Sequence, residues 1–324
     1  MNLAKNETKS AKKTKNKTTD SKTQNGFLKE IRKNYQLWLM ILPGFLVILI
    51  FNYIPMYGLQ LAFRRFVPTE GITGGEFVGM QYFNQFFDSR MFSTLMINTI
   101  RISATTMVVG FIAPVLLALL INQIKHKRAK SIMQTTVYLP HFISIVVMVG
   151  MLTVFLSPQS GILNHFADML GFPRRDFLGS TRFFVPTYVI SEIWQRAGWN
   201  SIIYLAALSN VDPQLYESAR MDGANRWQLV RHVEIPSLVP TMIILFILNM
   251  GGILNAGFEK IFLMQNPLNL PVAEVISTYV YKIGIIQNQF SYATAIGLFN
   301  TLINFGFLLL ANYISKKVAK TSLF

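Results

Sequence analysis

The sequence predicts an all-α integral membrane protein with six transmembrane helices. Three observations predict it. The 324 residues are 52% hydrophobic and only 14% charged, where soluble domains carry about 25% charged residues. Six stretches reach the roughly 20 apolar residues that a helix needs to cross a hydrocarbon core of ~30 Å. The Lys and Arg residues behind the net charge of +15 gather in the N-terminal tail and in short segments between apolar runs, where membrane proteins carry their orientation signals.

Residues 1–26 are rich in Lys, Thr, Asn and Ser and nearly devoid of apolar side chains. Such a stretch cannot bury enough surface to order itself. Residues 1–34 therefore read as a disordered basic tail, and 35–324 as the six-span domain. The tail is too long and polar for a signal-peptide n-region, so the first apolar run reads as an uncleaved anchor. The triplets at Asn6 and Asn16 match the glycosylation pattern but carry no meaning on a cytosolic tail.

The first span covers Leu37–Leu61, the second Thr99–Ile121 and the third Ile132–Leu156. The fourth, Phe184–Leu208, contains Glu192 and Arg196. The fifth is Leu238–Phe258 and the sixth Tyr292–Ile314. Pro43, Pro55, Pro140 and Pro186 fall in or near spans, which bundled helices tolerate because neighbours satisfy the freed carbonyls. With the N-terminus inside, 20 Lys and Arg lie on the inner side and 8, including Lys260 and Lys282, on the outer side. Arg101 and Arg196 lie within spans, and Arg101 is expected to snorkel to an interface. This bias puts both termini in the cytosol.

Several functions are excluded by what the chain lacks. It has no Cys, and His126, His141, His165 and His232 are scattered, so no metal centre is expected. No cofactor is implied. GxxxxGK[ST] and GxSxG are absent, so neither a phosphate-binding loop nor a nucleophile elbow is present. No recognition module accompanies the positive charge, which argues against nucleic acid. A self-sufficient secondary carrier or channel would show paired repeats or broken helices with ion ligands at mid-membrane. That remains the alternative reading.

Between spans four and five lies a polar insert, residues 209–237, longer than the two to eight residues usual for a helix connection. Asp212 before Pro213 is an N-cap followed by Pro at the first helical position. A helix from Pro213 to Met221 ends at Gly223, which supplies the left-handed residue. Asn225 and Gln228 form a capping box for a second helix, expected to stop at Pro236. Leu215, Tyr216, Ala219 and Met221 are available to a partner, and short amphipathic helices bind by lying in a groove.

Glu217-Ser218-Ala219, three residues, Gly223, nine residues and Val233-Glu234-Ile235-Pro236 resemble the EAA loop of binding-protein-dependent ABC importer permeases. Ser218, Val233 and Ile235 stand where that pattern has Ala, Ile and Leu. The string DPQLYESARMDGANRWQ is similar to the carbohydrate-importing branch. FVGMQYF (Phe77–Phe83), VYLPHFISIVV (Val137–Val147), WQRAGWNSIIYLAAL (Trp194–Leu208) and NYISKK (Asn312–Lys317) resemble its polysaccharide and complex-oligosaccharide subgroup. The resemblance covers residues 35–320.

The resemblance implies a type I ABC importer permease fold in a bacterial plasma membrane. It makes the insert a coupling helix seated in a cleft of a cytosolic ABC ATPase subunit. Glu217, Ser218, Ala219, Asp222, Gly223 and Pro236 are then the coupling residues. Glu217 makes the polar contact, and Gly223 is the turn a side chain would spoil. It further implies a second permease subunit, an extracellular solute-binding protein and a carbohydrate cargo. Glu192 and Arg196 share a helix face, either on the sugar path or as an ion pair between permeases. Tyr204, Asn249 and Asn304 are placed to line a cavity; Asn255 and Asn300 belong to the same polar set, whose other role is hydrogen bonding between helices. Arg174, Arg175 and Arg182 are placed to meet the binding protein.

Overall fold

In a computed structural model, residues 33–255 and 257–319 are described. Almost all of the basic tail and the C-terminal Lys320 lie outside them. The chain divides into two compact units, Met1–Leu59 and Gln60–Phe324.

The described part of the first unit is most of helix α1 (Tyr35–Phe63). No residue of its α-helical or π-helical turns is buried. A π-turn at Leu49–Tyr53 precedes Ile54-Pro55, and a 3₁₀ segment follows to Phe63. Proline lacks an N–H and its ring crowds the carbonyl four residues back. Widening the preceding turn by one residue removes that conflict without breaking the helix.

The second unit holds short α2 (Gln81–Phe87) and the long α3 (Arg90–Asn122). Ser89 caps α3, accepting from Phe92 N at 3.2 Å. After it come α4 (Lys127–Phe142), α5 (Ile145–Phe155), α6 (Ile162–Met169) and α7 (Phe184–Ser209). The elbow helix α8 (Pro213–Met221), α9 (Arg226–Met250), α10 (Phe258–Met264), α11 (Ile276–Ile286) and α12 (Phe290–Ala319) complete it. Helix α7 packs along α3. One core cluster joins Ile102, Val149, Phe184, Tyr188, Ile261 and Val275. A second joins Val115, Leu119, Tyr204, Leu208, Val230 and Leu238.

Among the described residues, α1, α3, α9 and α12 are long and apolar enough to cross a membrane, and the α4–α5 pair makes five if counted as one span. Helix α7 is long enough at 26 residues, but its polar content keeps it out of that set. The stretch expected as the third span is not one helix: α4 and α5 meet at 96°. Pro140 sits in a 3₁₀ turn, and Ser144 starts the new helix by accepting from Val147 N. The Ile143 carbonyl freed by this break accepts from Gln195 Nε2 of α7 at 2.8 Å. The fifth span ends early, at Met250, where Gly251 and Gly252 lead the chain into a turn. It also begins early, because Pro236 does not stop the second elbow helix. A π-turn at Val230–Glu234 precedes Ile235-Pro236, the same device as in α1, and α9 runs through.

Candidate functional site

Two places among the described residues gather most of the side chains that the sequence marks as functional. The first is a cavity of about 380 Å³ between α3, α7 and the segment after α9, within the range of small-molecule sites. Ser103, Thr106 and Phe111 line it from α3, Glu192, Arg196 and Asn200 from α7, and Asn249 and Asn255 from the far side. The Ser103 and Thr106 hydroxyls have no hydrogen-bond partner among the described residues.

An acid and two bases meet on one side. Arg196 Nε lies 2.6 Å from Glu192 Oε1, the i,i+4 pairing that helix geometry favours. Lys260 Nζ donates to Glu192 Oε2 at 3.0 Å and stands 5.4 Å from the centre of the Tyr188 ring. The Lys260 side chain is 2% exposed and that of Glu192 12%, but that of Arg196 is 52% exposed. Lys260, counted above among the outer charges, is thus enclosed in the fold and paired rather than solvated. The trio carries one net positive charge, and no hydrogen bond engages the terminal amines of Arg196 among the described residues.

The other residues expected on the path are placed differently. Asn249 lines the cavity. Tyr204 is buried in the second core cluster. Asn304 is buried, with Oδ1 accepting from Leu254 N at 2.9 Å and Nδ2 donating to Asn255 Oδ1 at 3.1 Å. It supports the turn that follows α9, where the buried Leu254 N–H needs an acceptor. Tyr188, Asn200 and Lys260 are lining or supporting residues that sequence periodicity did not single out.

The second place is the elbow. Asp212 Oδ1 accepts from Gln214 N at 2.9 Å. Helix α8 closes with a Schellman pair, Ala224 N to Ala219 O at 2.9 Å and Gly223 N to Arg220 O at 3.0 Å. Gly223 has φ +80°. A Cβ there would meet nothing within 4 Å, so the requirement is conformational rather than steric. Asn225 and Gln228 exchange the two capping-box bonds at 2.7 and 2.9 Å. Glu217, Ser218 and Asp222 are exposed and Ala219 is half-buried. Leu215, Met221 and Trp227 present apolar surface.

Tyr216 points the other way. Its hydroxyl is buried beside Glu234 and Asn122. Burial raises its pKa above the ordinary 10, and the Glu234 carboxylate adds to that. Of the outer arginines, Arg174 is engaged within the chain, pairing with Asp168 at 2.6 Å and donating to Gln159 O at 3.0 Å. Arg175 and Arg182 lie over the Phe183 ring at 5.2 and 5.8 Å.

A charged elbow thus joins α7 to α9, and a polar cavity lies further along α3. The profile of the binding-protein-dependent transport system inner membrane component family matches residues 110–320. The chain belongs to that family. Relatives of this inner membrane component extend the match over nearly the whole chain. It is 40% identical over 297 residues to the polygalacturonan/rhamnogalacturonan transport system permease protein YteP of Bacillus subtilis, covering 92% of each. It is 39% identical over 294 residues to Protein LplB of the same organism, covering 91% of this chain and 92% of that one. Among solved structures it is similar to a chain of the bacterial alginate ABC transporter in complex with an alginate pentasaccharide-bound periplasmic protein. The TM-score there is 0.84 at 40% identity, over 91% of this chain and 99% of that one.

Proposed function

We propose that this chain is the permease subunit of an ATP-driven importer whose cargo is an oligosaccharide bearing carboxylates. One observation carries the reading: 40% identity over 91% of the chain to a transporter solved with an alginate-loaded periplasmic protein. Six spans, with α7 crossing and α4–α5 as a bent span, complete the bundle in a bacterial plasma membrane. Both termini and the elbow face the cytosol. A separate ATPase subunit grips α8 around Glu217, Ser218, Ala219 and Asp222, with Gly223 and Pro236 setting the shape of the elbow. A second permease closes the open side of the cavity, and an extracellular binding protein delivers the sugar.

The cavity suits such cargo. Sugar hydroxyls match Ser103, Thr106, Asn200 and Asn249, and the exposed amines of Arg196 match a carboxylate in the paired geometry that guanidinium favours. The test is uptake of labelled trigalacturonate by vesicles holding the full importer and its binding protein. ATP-driven accumulation is expected. Gly223→Val should insert normally yet abolish it, because a β-branched residue is strained at φ +80°. Arg196→Gln should lower it about tenfold or more. Accumulation by vesicles holding this subunit alone, or undiminished uptake by Gly223→Val, would overturn the assignment.

A further inference from the structure

Helix α3 runs from the cavity to the elbow, and a buried carboxylate of α9 holds its end. Glu234 lies in the π-turn of α9 and is 2% exposed. Its Oε1 accepts from Asn122 Nδ2 at 2.9 Å and from Gln123 Nε2 at 3.0 Å. Its Oε2 accepts from Gln123 Nε2 at 3.0 Å. Asn122 is the last residue of α3 and Gln123 its cap. Lys130 Nζ of α4 donates to Asn122 Oδ1 at 3.5 Å. The Tyr216 hydroxyl of α8 is buried near Glu234 and Asn122 and has no hydrogen-bond partner among the described residues, so α8 meets this junction by packing.

A buried carboxylate is a poor choice for filling space. It must be desolvated, and here no cation lies within ion-pairing distance among the described residues. What it supplies is direction: an acceptor-only group facing two amide donors admits one arrangement. The junction gathers the end of α3, the start of α4, the inner face of α8 and the start of α9.

We infer that Glu234 is a positioning residue that locks the elbow to α3, so that displacement of α8 reaches Ser103, Thr106 and Phe111 as movement of α3. At about 1.5 Å per residue, helix α3 spans roughly 28 Å from Ser103 to Asn122. The source of that displacement rests on the proposed ATPase contact; the lock does not.

Glu234→Gln keeps the size but turns one acceptor into a donor facing the Gln123 amide. The double variant Glu234→Gln/Gln123→Glu exchanges donor and acceptor across the same contact. In importer vesicles with trigalacturonate, the sugar moved per ATP hydrolysed should fall about tenfold in Glu234→Gln and recover in the double variant. A merely structural role would lower both rates in proportion and leave that ratio unchanged, overturning the inference. A second measurement needs neither cargo nor ATPase. Because the chain has no native Cys, spin labels at Gln214→Cys and Thr105→Cys report only the α8–α3 separation in nanodiscs holding the full chain. The distance distribution should be narrow in the parent, broad with Glu234→Gln and narrow again in the double variant. Identical distributions would overturn the lock. Absence of any uptake by the parent importer would instead count against the proposed function.

Discussion

Glu192 holds two cations, and their unequal burial decides what each contributes. Arg196 reaches the cavity, while Lys260 is enclosed against Tyr188. Removing Lys260 leaves Glu192 with Arg196 still 2.6 Å away. Removing the Glu192 charge leaves Lys260 buried without a counter-ion, which typically costs about 3–5 kcal/mol. Glu192→Gln should therefore lower the thermal unfolding temperature of the purified protein more than Lys260→Met does. The opposite order would show that Lys260 is not held by this carboxylate. The i,i+4 spacing made Glu192 and Arg196 legible as a pair in the sequence. Lys260 lies 68 residues further on, and no local pattern connects it to them.

At the scale of elements, the chain bends its helices where Pro demands and crosses them where Gly allows. Both Ile-Pro pairs that open new helical segments follow a π-turn, so proline reshapes these helices without ending them. Sequence rules for Pro as a helix stop misjudged Pro236 for this reason. Gly198 in α7 sits against α4, and a Cβ there would lie 1.8 Å from the Val137 carbonyl oxygen. Any side chain must push the two helices apart. Gly198→Val should destabilise the fold by about 1–3 kcal/mol or more, seen as a lowered melting temperature and loss of well-folded protein on size-exclusion chromatography. An unchanged melting temperature would refute the contact. The elbow, by contrast, was readable residue by residue. Its caps act over two to five positions, so Asp212, Gly223 and the Asn225–Gln228 box form as their spacing requires.

At the scale of the whole molecule, the charge bias predicts a topology that can be measured directly. Single cysteines introduced at Ala129 and Arg226 should react with an impermeant thiol reagent only after cells are permeabilised. One at Leu170 should react in intact cells. The reverse pattern would place the elbow outside and remove its access to an ATPase.

The sequence by itself determined that this chain is a helical membrane protein with a capped polar elbow, and its motifs pointed to the permease family. Those properties are written in runs, periods and spacings of a few residues. The tertiary structure alone decided that α4 and α5 meet at 96°, that Lys260 and Glu192 meet, and that Glu234 bonds the end of α3. It also decided that Asn304 serves a turn while Asn249 faces the cavity. These outcomes depend on partners tens to over a hundred residues apart, brought together by packing of apolar faces, which local chemistry does not encode.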